Sequence, residues 1–260
     1  MPKLARDAVE LFYHDEGSGE PLVLLHGAAS SSVCFDDCAG PLARKRRVVR
    51  PDLRGMGRSS RIDSLRPTDW VEDLLALLDH LGLDRVDLAG TSLGARIATR
   101  FALDHPDRVM TLTLDAPMVF AEPAGEELID QIFGPDRDPG MAETLRRWHG
   151  ADWEAVTSTY LRLRQSRELQ EFLDFRQDLE RLGMPVLLTR GDDDDPIHPI
   201  AHALEIHTRA SATLLWIAPS ARFALTRFRP QEWARVVDEF IWTHDLGSRA
   251  VSHSDHIDKS

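Results

Sequence analysis

The stretch Gly90-Thr91-Ser92-Leu93-Gly94 can do chemistry. It follows the run "RVDLA" and opens the amphipathic stretch "LGARIATRFAL". G-x-S-x-G alone is a weak pattern; between a strand and a helix it is a strong one. The turn is tight and strained, so small residues must flank the serine for the helix to approach the strand. The hydroxyl then projects above the sheet, with the first helical amides pointing toward it. A second stretch, Leu24-Leu25-His26-Gly27-Ala28-Ala29, ends another apolar run. Small residues after His-Gly let a backbone amide face the serine turn, so the Ala28 and Leu93 N–H groups would form an oxyanion hole. His26 is read as an organiser of that loop and not as a base. In a third stretch, Arg50 to Ser59, a strand end leads into a glycine turn, where Asp52 and Arg54 are read as structural.

Strands at 9–13, 21–25, 47–50, 85–88, 110–114, 185–189 and 213–217 would carry these turns. "PLVLL", "PVLLT" and "TLLWI" are continuously apolar, as expected of strands covered on both faces. Amphipathic helices at 69–81, 93–104, 200–208 and 231–244 alternate with them. The fold class expected is α/β, a mostly parallel central sheet flanked by helices. Residues 117–182 break the alternation, with four helical segments and no strand. They read as a helical cap inserted into a core of 1–116 and 183–245; the polar tail 246–260 is expected to be disordered.

Four segments, "LLHGAASSS", "VVRPDLRGMGRSS", "LAGTSLGARIATRFALDHPDRV" and "PVLLTRGDDDDPIHP", give the chain a resemblance to the α/β-hydrolase superfamily of the helical-cap type. It covers residues 10–244 and is specific for the fold, much less so for the substrate. The resemblance implies a triad in chain order Ser, Asp, His. Ser92 matches the nucleophile. The acid falls in Gly191-Asp192-Asp193-Asp194-Asp195-Pro196-Ile197-His198-Pro199. Counting back from the two prolines favours Asp195; counting forward from Gly191 gives Asp194; Asp115 is a weaker third choice. The same resemblance weighs against a divalent cation in the aspartate run.

The histidine is expected in the loop after "TLLWIA", about seven residues before the proline of the last helix. Counting back from Pro230 lands on Phe223, with Arg222 beside it, and two residues either way hold no histidine. A serine hydroxyl without a base is a poor nucleophile. Of the eleven histidines, His198 in the acid loop is the candidate substitute base or substrate contact. The plainer reading makes it a partly exposed loop residue. His202 and His207 are expected to face outward, and His149 and His105 to lie at the surface. Expected substrate contacts are Phe223, Arg222, Ala29, Thr91 and Met56. Arg222 is read as either turned inward to an anionic group or solvated. The cap aromatics Phe120, Phe133, Trp148, Trp153 and Tyr160 would suit an apolar or aromatic molecule, or serve as packing.

The function that follows is an enzyme acting on a small apolar or aromatic carbonyl compound: an ester, a lactone or a C–C bond. The absent base leaves two alternatives, a non-hydrolytic cyclase, isomerase or lyase, and a binding protein on a hydrolase fold. With 260 residues, 42% of them hydrophobic, the chain can bury a large core. A net charge of -12 argues against nucleic acid and anionic membrane as partners. Cys34 and Cys38 suit neither a disulfide nor a zinc site and read as small buried residues. No cofactor or metal motif is present, and the expected partner is a small-molecule substrate, with a homodimer left open. The N-terminus lacks the apolar core of a signal peptide, so a cytoplasmic protein is expected.

Overall fold

The apolar run Pro21–Leu25 forms a strand buried on both faces. Its side chains alternate: Leu22 and Leu24 join Trp233, Val237 and Ile241 in one apolar cluster, Val23 and Leu25 join Trp70, Leu74 and Ile97 in another. A computed structural model describes residues 2–254, with side chains to 244. Its strands are β1 (Lys3–Arg6), β2 (Val9–Gly17), β3 (Pro21–Leu25), β4 (Arg47–Pro51), β5 (Val86–Thr91), β6 (Val109–Asp115), β7 (Val186–Gly191) and β8 (Thr213–Ala218). They form one eight-stranded sheet in the order β1-β2-β4-β3-β5-β6-β7-β8. The pairs β1–β2 and β2–β4 are antiparallel, and every other pair is parallel. Parallel strands send their C-terminal loops to one edge, where open α/β sheets bind ligands.

The helices of the core are α1 (Asp36–Ala43), α2 (Asp69–His80) and α3 (Leu93–Asp104), then, after the insertion, α8 (Ile200–Arg209), α9 (Leu225–Phe228) and α10 (Pro230–Ser254). Between β6 and β7 lie α4 (Pro123–Phe133), α5 (Pro139–His149), α6 (Trp153–Leu163) and α7 (Arg167–Phe172). Leu145, Val156, Leu169 and Leu179 of this insertion share one apolar cluster with the sheet and α3. The insertion is therefore packed as a continuation of the core.

Three features differ from the sequence reading. β1 escaped it, being a short edge strand with charged residues and a single buried side chain, Leu4. The expected fourth cap helix stops at Phe172, because the Asp174 carboxylate accepts the Arg176 amide at 3.0 Å and the Phe175 amide bonds Val119 O. The last helix runs on to Ser254 although the tail from 246 was expected to be disordered: adding residues to a formed helix costs little, even for a polar sequence. Residues 255–260 of that tail lie outside the described residues. Among the described residues no helix is long and apolar enough to cross a membrane.

Candidate active site

Ser92 sits between β5 and α3 with φ 54° and ψ −117°, a left-handed backbone that few non-glycine residues adopt. The glycines around it are needed for contact. A Cβ on Gly90 would lie 2.2 Å from Gly94 O, and one on Gly94 2.0 Å from Leu25 O. Only glycine lets α3 start this close to β3 and β5. The strain is held by a bond from the Ser92 amide to Asp115 O at 3.0 Å.

His198 Nε2 lies 2.9 Å from Ser92 Oγ, and its Nδ1 lies 3.2 Å from both oxygens of Asp195. A carboxylate can only accept, so Nδ1 carries the proton and Nε2 is free to accept from the serine hydroxyl. His198 is 3% exposed, not the partly exposed loop residue that the sequence favoured. Its place follows from a four-residue turn: the Asp195 carboxylate accepts the Ile197 and His198 amides at 2.9 and 3.1 Å. Burial alone would raise the Asp195 pKa, but its bonds to the His198 side chain, the His198 charge and these two amides outweigh that and hold it below the usual carboxylate range.

Asp194 is turned away. Its carboxylate accepts the Ile200 amide at 2.7 Å and caps α8. Asp115 is buried at the end of β6 beside β5, bonded to Thr91, Thr189 and Thr226, and has no bond to His198. Burial raises its pKa against these bonds. Arg190, which the sequence reading passed over, ends the buried strand β7 and donates to the carbonyls of Gly191, Asp193 and His198. A charged residue closing the apolar run "PVLLT" was the available signal. The acid loop is also tied to the loop after β8, through Asp192 to the Ser220 and Ala221 amides and through the Gly191 amide to Phe223 O. That fixes Phe223, whose ring stacks on His198 at 4.4 Å and 9°.

Ala28 and Leu93 both line the cavity at Ser92. Among the described residues neither amide donates to a protein acceptor. His26 accepts the Leu53 amide on Nε2 at 3.0 Å, and its Nδ1 lies 2.8 Å from Gly27 O. It orders the loop and is out of play as a base. His149, expected at the surface, is buried at the end of α5. It accepts the Gly57 amide at 2.9 Å and donates to Ala29 O at 3.0 Å, pinning the end of α5 beside the loop after β3. His202, expected to face outward, is 2% exposed and bonds Glu122 at 3.2 Å. Both lie on amphipathic helices whose buried stripe is wider than the apolar residues alone indicate.

Burial lowers the His149 pKa from 6.5 to about 4. Between these values the unfolded chain binds the proton and the folded one does not, so stability rises with pH from about 4 to about 6.5. His149→Gln is expected to flatten that part of a curve of unfolding free energy against pH, removing up to about 3 kcal/mol of its rise. Equal slopes for the two proteins would refute the assignment.

The cavity at Ser92 is narrow, with room for about 30 Å³ between its walls. Trp70, Met118, Ile129 and Leu173 give it apolar walls, and Arg96, Glu126, Tyr160, Arg164 and Gln170 add polar ones. None of the five expected substrate contacts lines it. Ala29 and Met56 are core residues, Ala29 holding His149 through its carbonyl. Thr91 donates to Asp115 at 3.1 Å, and Phe223 lies behind His198. Arg222 faces solvent, 65% exposed, over the Phe228 ring and near Asp193. Residues on either side of a loop face opposite ways, and counting along the chain does not say which. Of the cap aromatics only Tyr160 reaches the cavity; Trp153 lies under Arg137 and Arg146, and Phe120 against His202 and Arg176.

A family model described as alpha/beta hydrolase fold matches residues 20–172. The chain is 36% identical over 138 residues to a 2-hydroxymuconate semialdehyde hydrolase of Pseudomonas sp. (strain CF600), covering 51% of this chain and 48% of that protein. In that match the chain spans about half the length of its relative. A 2-hydroxy-6-oxononadienedioate/2-hydroxy-6-oxononatrienedioate hydrolase of Paraburkholderia phymatum is 30% identical over 250 residues, covering 83% of this chain and 82% of that protein. Among solved structures, a meta-cleavage product hydrolase from Pseudomonas fluorescens IP01 matches with TM-score 0.76 at 18% identity, over 93% of this chain and 97% of that one. The enol-lactonase from Burkholderia xenovorans LB400 matches with TM-score 0.73 at 20% identity, over 92% and 99%. At these identities the structural matches speak to the fold.

Proposed function

The chain belongs to the α/β-hydrolase family, and within it we propose a serine hydrolase of small carbonyl compounds with an apolar body: esters, lactones or C–C bonds next to a carbonyl. The observation that carries this is the bond from Ser92 Oγ to His198 Nε2 at 2.9 Å with Asp195 behind the ring. Ser92 attacks the carbonyl as His198 takes its proton. The Ala28 and Leu93 amides hold the oxyanion, Asp195 keeps the ring in the working tautomer, and His198 returns the proton to the leaving group. Water, activated by the same histidine, then releases the acyl group. The relatives are named as hydrolases of oxo and semialdehyde compounds, and the apolar walls of Trp70, Met118, Ile129 and Leu173 suit the carbon body of such a molecule.

The case for a cyclase, isomerase or lyase, or for a binder, rested on the absence of a base. Phe223 does stand where the base was sought, and His198 reaches Ser92 from the neighbouring loop. The test is intact mass after incubation with a fluorophosphonate. Wild type gains one adduct; Ser92→Ala and His198→Ala gain none on the same timescale. An unlabelled wild type would end the hydrolase reading, and rapid labelling of His198→Ala would move the base elsewhere.

A further inference from the structure

We infer that Arg96 makes the Ser92 cavity selective for substrates carrying a carboxylate beyond the scissile carbonyl, an inference that rests on Ser92 being the nucleophile. Arg96 lies one turn further along α3; its amide donates to Ser92 O at 3.1 Å, and four residues of helix rise about 6 Å. Both side chains line the same cavity. Arg96 is 4% exposed, and among the described residues no carboxylate lies within 4.0 Å of it. Its partners are neutral: Leu173 O at 3.2 and 2.8 Å, and Gln170 Oε1 at 3.3 Å from two nitrogens. A buried cation is normally paired, because its desolvation is otherwise unmet. Burial lowers its pKa only to about 10, so it stays charged near neutral pH.

The other arginine of the wall is different. Arg164 pairs with Glu126 and with Asp130 at 2.6 Å, so its charge is met within the cap. Arg96 has no such ion pair: the Asp174 charge acts on it only from beyond 4.0 Å, and its own side-chain bonds go to neutral groups, in a chain whose net charge is -12. A substrate carboxylate would replace the two long contacts to Gln170 with charge-assisted bonds, which are shorter and stronger. Gln170 keeps its own anchor, donating to Arg164 O at 2.7 Å. The bonds to Leu173 O also fasten the cap to α3, so a purely structural role must be told apart from recognition.

The experiment compares 4-nitrophenyl hydrogen adipate with 4-nitrophenyl hexanoate, which has a methyl in place of the carboxylate. Wild type should favour the acid ester in kcat/KM by about 10–100-fold, the range one charge-assisted bond supports, mainly through KM. Arg96→Gln should abolish the preference and Arg96→Lys keep part of it. Equal rates for both esters with wild type, or an equal loss on both in Arg96→Gln, overturns the inference and leaves Arg96 as a fastener of the cap. If the variants do not fold, inhibition of wild-type hexanoate hydrolysis decides: adipate should compete and neutral adipamide should not, and the reverse overturns it. If neither ester is turned over, the hydrolase reading has failed separately. Calorimetric titration of wild type with adipate and adipamide then decides, preference for adipate supporting the inference and its lack defeating it.

Discussion

Replacing His198 with alanine is expected to lower kcat by about 10⁴–10⁶-fold with little change in KM. The serine proton must leave as the carbonyl is attacked, and among the described residues no other histidine bonds the Ser92 hydroxyl. His26 and His149 have both ring nitrogens engaged with backbone, and His202 is committed to Glu122 and the Val119 amide. Ser92→Ala should cost about as much, and the double variant no more than either single one, because the two residues act as a unit. What would survive is the proposed oxyanion hole of the Ala28 and Leu93 amides, worth about 3 kcal/mol to a developing oxyanion. The measurement is steady-state hydrolysis of 4-nitrophenyl hexanoate by the three variants. A His198→Ala enzyme within tenfold of wild type would remove His198 from the mechanism.

The sequence made the sheet legible because its strands are buried on both faces and read as unbroken apolar runs, as in Pro21–Leu25. The serine turn was legible because close packing leaves glycine no substitute at positions 90 and 94. The cavity wall was not. Arg96 and Tyr160 reach it from two helices far apart in sequence, and nothing local distinguishes a helical arginine facing a cavity from one facing water. The position of His198 was half legible. His198 could be named as a candidate, but its burial depends on Arg190 drawing in its carbonyl and on Phe223 arriving from another loop.

In the proposed mechanism the base is supplied from a neighbouring loop, by a local exchange. Phe223 occupies the seat from which the resemblance would have a histidine act, and its ring lies flat against the imidazole at 4.4 Å. The phenyl face walls off one side of the ring, leaving it hydrogen-bonded at its edges alone. Chain order is preserved, since Ser92, Asp195 and His198 still run Ser, Asp, His. The acid and base now share one turn. A single loop, held by Arg190 beneath and by the loop after β8 at its side, therefore sets the alignment of both with Ser92.

Asp195→Asn is expected to lower kcat by about 10⁴-fold, whereas Asp194→Asn should leave it within about threefold. The two residues are neighbours, and the sequence could not finally separate them. The structure gives them different partners: Asp195 faces His198 Nδ1 at 3.2 Å, and Asp194 caps α8 through the Ile200 amide at 2.7 Å. An asparagine at 194 still offers an oxygen to that amide, so the helix start survives. An asparagine at 195 can also keep the Ile197 and His198 amides, so the turn should persist. What it lacks is the second acceptor oxygen and the charge. Its NH₂ group facing Nδ1 favours the tautomer protonated on Nε2, which cannot accept the serine proton. Because the Asp195 carboxyl is held below its usual range, it stays ionised as pH falls through the ordinary carboxylate values. Its stabilising contribution is present above the unfolded value of about 3.9 and is lost only as pH falls through the lower folded value. The deficit of Asp195→Asn should therefore persist from about pH 5 to about pH 8. Matched kcat–pH profiles of the two variants, with melting curves to show that both are folded, make the measurement. Equal losses at 194 and 195 would mean that the aspartate run acts only by shaping the loop.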